Sequence, residues 1–303
     1  MEIKAFFHQI RSTIEKEQFD QLSGYSLDKP LHFNWVEDIF YPLNVVENPN
    51  GKSLIWRHYD QEKHYTFDGI YQETNQFLNF LRKQGIEKGS RIYTQLPLVP
   101  ANWIATLAAI KGGLVMIPAA TTLTEKDIAY RFETLFPDVV IADDHNAPKI
   151  EAAERLLNKA VKVKITVGEV RKGWFSIVEI QHEAATAKAA DTAADDHLFY
   201  FFTSGTTGLP KVVVHTQFTY PFGHLTTASW IGLRTGDIHY NISAPGWAKF
   251  AWSSFFAPSQ FQHGLACRHA LKECFHLSWE IGPVRRNYHG RLAVIADWRR
   301  VNS

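Results

Sequence analysis

Cysteine is almost missing from this chain, with only Cys267 and Cys274 among 303 residues. Both lie near the end of the sequence, without a second pair and without a Cys-x-x-Cys spacing. A disulfide framework or a cysteine-based zinc site needs more cysteines in a closer pattern, so the sequence indicates neither. A reducing compartment, the cytoplasm, is therefore the expected location.

An excess of charge of one sign is also missing, because 32 Lys and Arg residues face 31 Asp and Glu residues. Such a balance gives no general positive field for nucleic acid, and no basic stripe with interleaved aromatic residues occurs. We expect no nucleic-acid partner. No apolar run approaches the ~18 residues that a membrane span requires, so we expect no span either. Near the N-terminus, Glu15, Glu17 and Asp20 argue against a targeting peptide.

Short apolar strands and helices alternate through much of the first half of the chain, which predicts parallel βαβ units and an α/β fold. Strands are expected within 89–97 and at 114–118, 139–142 and 161–167, with helices at 68–84, 103–110, 125–134 and 150–159. Apolar and polar residues alternate over 53–59 and 63–67 around a charged turn, which predicts a hairpin. The alanine-rich stretch 183–196 predicts a solvated helix or linker.

The most constrained stretch follows an aromatic, strand-like run that ends at Phe202. Hydroxyl side chains and glycines alternate there and lead to Pro-Lys: Thr203, Ser204, Gly205, Thr206, Thr207, Gly208, Leu209, Pro210 and Lys211. The hydroxyls can donate to phosphate oxygens, the glycines let an anion approach backbone N–H groups, and the lysine supplies positive charge. The stretch therefore predicts a phosphate-binding loop, with an ordinary polar surface turn as the alternative.

The position and spacing of this loop argue against a P-loop NTPase. Residues 212–215 are again strand-like, so the loop is expected to join two neighbouring strands. The spacing differs from that of the P-loop NTPases, because no Ser or Thr follows Lys211. His215 and His239 lie in strand-like runs without partners at ligand spacing, and we expect both to be structural.

The nine residues from Thr203 to Lys211 resemble the nucleotide-phosphate loop of the AMP-forming adenylating enzymes, which include the acyl-CoA synthetases. The order of strands and helices before the loop is similar to the large N-terminal domain of acetyl- and medium-chain acyl-CoA synthetases. The resemblance implies an α/β fold with mostly parallel sheets flanked by helices, truncated relative to the family. On this resemblance we expect three parts of the chain: an N-terminal helix and connector (1–32), a partial AMP-binding domain (33–258) and an atypical tail (259–303).

A second segment carries the same resemblance. Gly246-Trp247 resembles the segment that lies beside the carboxylate pocket in acetyl- and medium-chain acyl-CoA synthetases. Trp247 is therefore expected to form a wall of the substrate pocket, or else to pack in the core as isolated tryptophans commonly do. From Ser259 onward apolar periodicity is lost and both cysteines occur, so we hypothesise that 259–303 is a frameshifted or foreign extension.

The resemblance implies ATP-dependent activation of a carboxylic (fatty) acid to acyl-AMP and then acyl-CoA, with Mg²⁺ and with CoA as co-substrate. It covers only the front half of such an enzyme. The family's adenine and ribose contacts and its C-terminal catalytic lysine have no counterpart in this chain, so we assign no catalytic residue and no metal ligand. We expect the chain alone to be inactive or nearly so, and a catalytically inactive nucleotide-binding remnant is the alternative function.

Overall fold

The computed structural model describes residues 2–58, 61–203, 208–241, 243–260, 264–268 and 295–296. Twelve strands occur in these ranges and form two sheets. The larger sheet contains β3 (Arg91–Gln95), β4 (Val115–Pro118), β5 (Val139–Ala142), β6 (Val163–Thr166), β7 (Phe175–Ser176), β8 (His197–Thr203) and β9 (Lys211–Thr216). The smaller contains β1 (Lys52–His58), β2 (Gln61–Thr66), β10 (Ile238–Tyr240), β11 (Gly264–Arg268) and β12 (Ile295–Ala296).

The larger sheet has the order β7-β6-β5-β3-β4-β8-β9 and is parallel except for β9, which pairs antiparallel with β8 at one edge. Helices connect its strands, namely α3 (Ala101–Gly112), α4 (Glu125–Thr134) and α5 (Ala147–Leu157). The expected mostly parallel α/β architecture is confirmed. The smaller sheet has the order β12-β10-β11-β1-β2, and the expected hairpin is its antiparallel β1–β2 pair.

Helices cover both faces of the larger sheet, and its central strands carry apolar residues at consecutive positions. Ile92 and Met116 belong to the core shared with α2 (Phe67–Lys83) and α3, whereas the next residues, Tyr93 and Ile117, belong to the core shared with α4 and α5. Side chains along a strand alternate between faces, so a strand buried on both sides needs such a continuous run. The sheet is the middle of three layers.

A 3₁₀ helix, Glu179–His182, precedes the alanine-rich stretch, and the remaining helical segments lie before β1 and after β9. The N-terminal helix α1 (Ile3–Glu15) is followed by a 3₁₀ helix, Phe19–Gly24, and by a helical segment, Val36–Val46, that local pattern did not predict. After β9 come α6 (Thr219–Gly223) and α7 (Leu225–Ile231). Three consecutive helical stretches then run through Ala248–Phe250, Ala251–Phe256 and Ala257–Ser259, and we call them together helical segment 248–259.

The alanine-rich stretch 183–196 contains no helix. Side chains of α2 bind its backbone carbonyls instead: Asn75 Nδ2 donates to Ala185 O at 2.8 Å, and Asn79 Nδ2 donates to Ala184 O at 2.9 Å and to Thr186 O at 2.8 Å. Each such bond takes a carbonyl that a helix would use internally. The stretch is a linker laid along α2, the second of the two predicted forms.

A lysine is buried where three helices meet. Lys111, in the last turn of α3, is 1% exposed, and its Nζ lies 2.5 Å from Tyr71 Oη, 2.8 Å from Asn75 Oδ1 and 2.9 Å from Glu37 Oε1. Burial lowers the pKa of Lys111, and the Glu37 carboxylate opposes that shift. Three acceptors for three ammonium protons explain how the charge is accommodated.

The N-terminal helix holds the end of helical segment 248–259. The Arg11 guanidinium, almost fully buried, donates from Nε (3.0 Å) and Nη2 (2.8 Å) to Gln260 O, and Asn44 Nδ2 donates to Ser259 O at 2.7 Å. Beyond it, the backbone of β11 lies between β1 and β10 and is parallel to both. Regular pairing thus continues past Ser259, whereas the frameshift hypothesis for 259–303 stays a prediction, and 269–294 and 297–303 lie outside the described residues.

None of the helices in the described ranges combines the length and the apolar character that crossing a bilayer demands.

Candidate nucleotide-binding site

The predicted phosphate loop begins where β8 ends. Phe199 and Phe201 face the core from β8, Phe199 pairs in parallel register with Met116 of β4, and Thr203 stands opposite Lys211 across the β8–β9 hairpin. Thr203 Oγ1 donates to Lys211 O at 3.4 Å. Both ends of the loop are thus held by the hairpin. Ser204, Gly205, Thr206 and Thr207 lie outside the described residues.

The exit of the loop is anchored to α4. Gly208 has a φ of +91°, a conformation that glycine adopts without strain. Leu209 is 61% exposed, and the Pro210 carbonyl accepts a hydrogen bond from Tyr130 Oη of α4 at 3.0 Å. Lys211 is exposed and makes no salt bridge with any residue in the described ranges. Its charge is therefore available to an anion.

The same helix also braces the strand that enters the loop. The guanidinium carbon of Arg131 lies 5.1 Å from the ring centre of Phe202, within the range of a cation–π contact. Arg131 Nη1 also donates to Asp127 O at 3.0 Å, and Asp127 closes a capping box with Thr124 at the start of α4. Helix α4 therefore fixes both arms of the hairpin, through Phe202 on one and Pro210 on the other.

Gly246 brings the Gly-Trp segment against the end of β4. A Cβ at this position would lie 2.2 Å from Ala120 N and 2.4 Å from Ala119 C. That backbone is itself held, since Ala119 N donates to Thr94 O at 2.8 Å and Gln95 Nε2 donates to Ala120 O at 3.2 Å. In open α/β sheets ligands bind outside the carboxyl ends of the parallel strands. The ends of β3, β4 and β8 and the Gly-Trp segment meet at that edge.

Trp247 follows directly, and its side chain is 65% exposed. The structure therefore does not place it in the core, and its role as a wall of the substrate pocket stays a prediction. Below it, between the sheet and helical segment 248–259, is a cavity of about 10 Å³ lined by Thr94, Asn102, Thr106, Phe250 and Phe255 among others. A space of this size holds about one water molecule. This cavity therefore has no room for a larger ligand in this structure.

Metal ligands are not grouped in the described part of the chain: no cluster of three or more His, Cys, Asp and Glu side chains that could hold an ion occurs there. His215 and His239 have lowered pKa values because burial disfavours their charged forms, and the pKa of His239 falls to about 4. His224, which sequence reasoning did not single out, has a pKa lowered by burial to about 4. All three are therefore expected to be neutral at pH 7.

Together, a mostly parallel sheet and a glycine-containing turn at its carboxyl edge define the fold of a nucleotide-binding α/β domain. Residues 44–260 match the AMP-binding enzyme family, and the chain belongs to it. The resemblance of the chain to the AMP-forming adenylating enzymes is thereby confirmed, whereas the phosphate-binding role of the loop stays a prediction.

Curated relatives are acyl-CoA ligases of greater length. The chain is 42% identical over 228 residues to 4-hydroxybutyrate–CoA ligase 1 of Metallosphaera sedula, covering 75% of this chain and 39% of that protein. It is 30% identical over 242 residues to the mitochondrial acyl-coenzyme A synthetase ACSM3 of Homo sapiens, covering 77% and 41%. The chain therefore spans about two-fifths of the length of these relatives.

Solved structures with the same fold include two ligases. The anthranilate CoA ligase AuaEII, in complex with anthranoyl-AMP, superimposes with a TM-score of 0.73 at 21% identity over 83% of this chain and 48% of its own. The acetoacetyl-CoA synthetase from Streptomyces lividans gives a TM-score of 0.72 at 18% identity over 88% and 46%. At these identities the likeness establishes the fold.

Proposed function

We propose that this chain supplies the triphosphate-binding part of an ATP-dependent acid–thiol ligase. In the proposed reaction a carboxylate oxygen attacks the α-phosphorus of ATP, which forms acyl-AMP and releases pyrophosphate. The thiol sulfur of CoA then attacks the acyl carbon, forms the thioester and expels AMP, while the thiol proton goes to solvent. The alternative is a domain that binds the nucleotide without turnover.

The observation that carries the proposal is the position of Lys211. It is exposed, it lies opposite Thr203 at the mouth of the hairpin, and its charge is unpaired among the described residues. Pyrophosphate leaves with concentrated negative charge, so a fixed cation and preorganised donors favour the transition state. We assign phosphate binding to Thr203, Ser204, Gly205, Thr206, Thr207, Gly208, Leu209, Pro210 and Lys211.

The other parts of the proposal follow from the family. In the proposed reaction Mg²⁺ is bound by the phosphates of ATP and enters with the nucleotide. The acid is proposed to be a fatty or similar small carboxylate that enters beside Trp247, with CoA as its acceptor. The cytoplasm is the proposed location, supported by the scarcity of cysteine.

The test is pyrophosphate release with ATP, Mg²⁺, CoA and a panel of short- and medium-chain acids. Release that depends on the acid and falls at least about tenfold in Lys211→Met would support the ligase, since a charge-assisted contact contributes roughly 1.5–3 kcal/mol. Lys126→Met, which removes an exposed lysine of α4, is the matched control. Because the chain alone is expected to release little pyrophosphate, ATP binding without acid-dependent release would fit both functions, and ATP binding that is lost in Lys211→Met but kept in Lys126→Met would support the phosphate site.

A further inference from the structure

An open groove lies on the outer side of helical segment 248–259, where α7 packs beside it. Its volume is about 530 Å³, within the range of small-molecule sites. Two indole side chains flank it, Trp230 at 48% and Trp252 at 41% exposure. Three hydroxyl groups and one lysine complete the polar lining: Thr226, Thr227, Ser253 and Lys249. The groove is thus an apolar trough with one cationic end group.

Trp252 is exposed and yet held in place. Its Nε1 donates to Tyr220 Oη at 2.9 Å, and its ring stacks on His224 with 5.8 Å between centroids and 27° between planes. Tyr220 and His224 are both buried, so the anchoring groups belong to the core. An indole fixed from behind with a free face offers contact area without losing rotamer entropy on binding. Such preorganisation favours a ligand surface over incidental exposure.

The positive charge of Lys249 favours a ligand with a negative charge. It is the one charged residue among the described residues that line the groove, and its ammonium forms no salt bridge with any part of the chain that the structure describes. Trp230, on the neighbouring helix α7, contributes apolar surface to the same groove. An apolar trough that ends in an unpaired cation complements a molecule with a hydrocarbon body and a single anionic head.

We propose that this groove binds the free form of a straight-chain carboxylate, with the chain against Trp230 and Trp252 and the carboxylate on Lys249. The groove is separate from the phosphate loop and needs no nucleotide. It lies on the face of helical segment 248–259 opposite the one-water cavity, so it is also distinct from any pocket beneath that segment. The ligand class is an amphiphilic monocarboxylate in its monomeric state.

The experiment is calorimetric titration of the full chain with octanoate below its micelle-forming concentration, without ATP, CoA or Mg²⁺. Neutral octanol and cationic octylammonium are titrated in parallel. Octanoate is expected to bind about fivefold more tightly than octanol, because one partly exposed ion pair contributes up to ~1 kcal/mol. Octylammonium is expected to bind more weakly than octanol.

Variants locate the binding. Lys249→Gln is expected to bring octanoate to the affinity of octanol, and Trp230→Ala to weaken both ligands about tenfold through lost apolar contact. Lys126→Gln and Val170→Ala, which change an exposed lysine and an exposed apolar residue elsewhere, should have no effect.

Three results would overturn the proposal. The first is equal affinity for octanol and octanoate, and the second is binding of octanoate that is insensitive to Lys249→Gln. The third is no binding of monomeric octanoate. None of these outcomes depends on ATP binding or pyrophosphate release.

Discussion

Replacing Gly246 by alanine tests the contact that positions the Gly-Trp segment. The added Cβ would lie 2.2 Å from Ala120 N, 2.4 Å from Ala119 C and 2.5 Å from Ala120 Cα. Contacts below 3.0 Å are essentially never seen for real Cβ atoms, so one of the two backbones must move. All three neighbours are backbone atoms, and no flexible side chain can give way.

The cost follows from how firmly the facing backbone is held. Ala119 N is bonded to Thr94 O, and Ala120 O accepts from Gln95 Nε2, so moving this backbone weakens two hydrogen bonds at the end of the central strands. Overpacking in a tight interior typically costs 1–3 kcal/mol, and the rigid setting places Gly246→Ala at about 3 kcal/mol. The Gly-Trp segment, as the less connected partner, is expected to move away from β4.

The assay is chemical denaturation followed by far-UV circular dichroism, with Gly223→Ala as the matched control. Gly223 ends α6, has no atom within 4 Å of its would-be Cβ and has an ordinary φ. Its variant is expected to stay within about 0.5 kcal/mol of the parent protein. If Gly246→Ala also unfolded at the parent midpoint, the close approach of the two backbones would be refuted.

Two further predictions concern buried charge. Burial lowers the pKa of His239 to about 4, so the folded state excludes a proton that the unfolded histidine takes up near pH 6.5. The contribution of neutral His239 to the free energy of unfolding is therefore fully present above pH 6.5. Up to about 3 kcal/mol of that free energy is lost as the pH falls towards 4. His239→Leu should flatten the fall measured by urea unfolding between pH 7 and 4, and an unchanged slope would contradict the assignment. Lys111→Met should lower the free energy of unfolding by roughly 3 kcal/mol by leaving Glu37 and Asn75 without their cation. In the same assay Lys126→Met should be neutral, and equal effects of the two changes would argue against the buried network.

The layered architecture was predictable because local pattern determines it. The continuous apolar runs of 114–118 and 139–142 identify strands covered on both faces, and these are β4 and β5. The change from aromatic residues to hydroxyls and glycines after Phe202 likewise marks the end of β8, and the strand that follows gives the observed hairpin. In each case neighbouring residues carry the whole signal.

The features that were missed depend on contacts between distant segments. Segment Val36–Val46 contains Pro42, which argues against a helix locally, yet its apolar side chains pack in the main core. The stretch 183–196 has helical composition, but Asn75 and Asn79 of α2 take its carbonyls. Lys111 is a residue type that is almost always exposed, and its burial depends on acceptors from two other helices.

The sequence predicts the chemistry of the candidate site and gives no information about the residues that surround it. The order of residues around Lys211 predicts a phosphate loop, and that role stays a proposal, whereas the bond from Tyr130 to Pro210 and the approach of Gly246 to Ala119 require the tertiary structure. The outer groove was missed for the same reason, because Trp230 and Lys249 lie on different helices and neither belongs to a recognisable motif.

The most direct test of the account is to titrate the chain with MgATP, MgADP, AMP and magnesium pyrophosphate by calorimetry, in the parent protein and in Lys211→Met. The account predicts that MgATP and pyrophosphate bind more tightly than AMP, and that Lys211→Met weakens both by about tenfold while AMP is affected much less. Equal affinities for ATP and AMP, or no effect of Lys211→Met on pyrophosphate, would contradict the claim that the β8–β9 loop binds the nucleotide's outer phosphates.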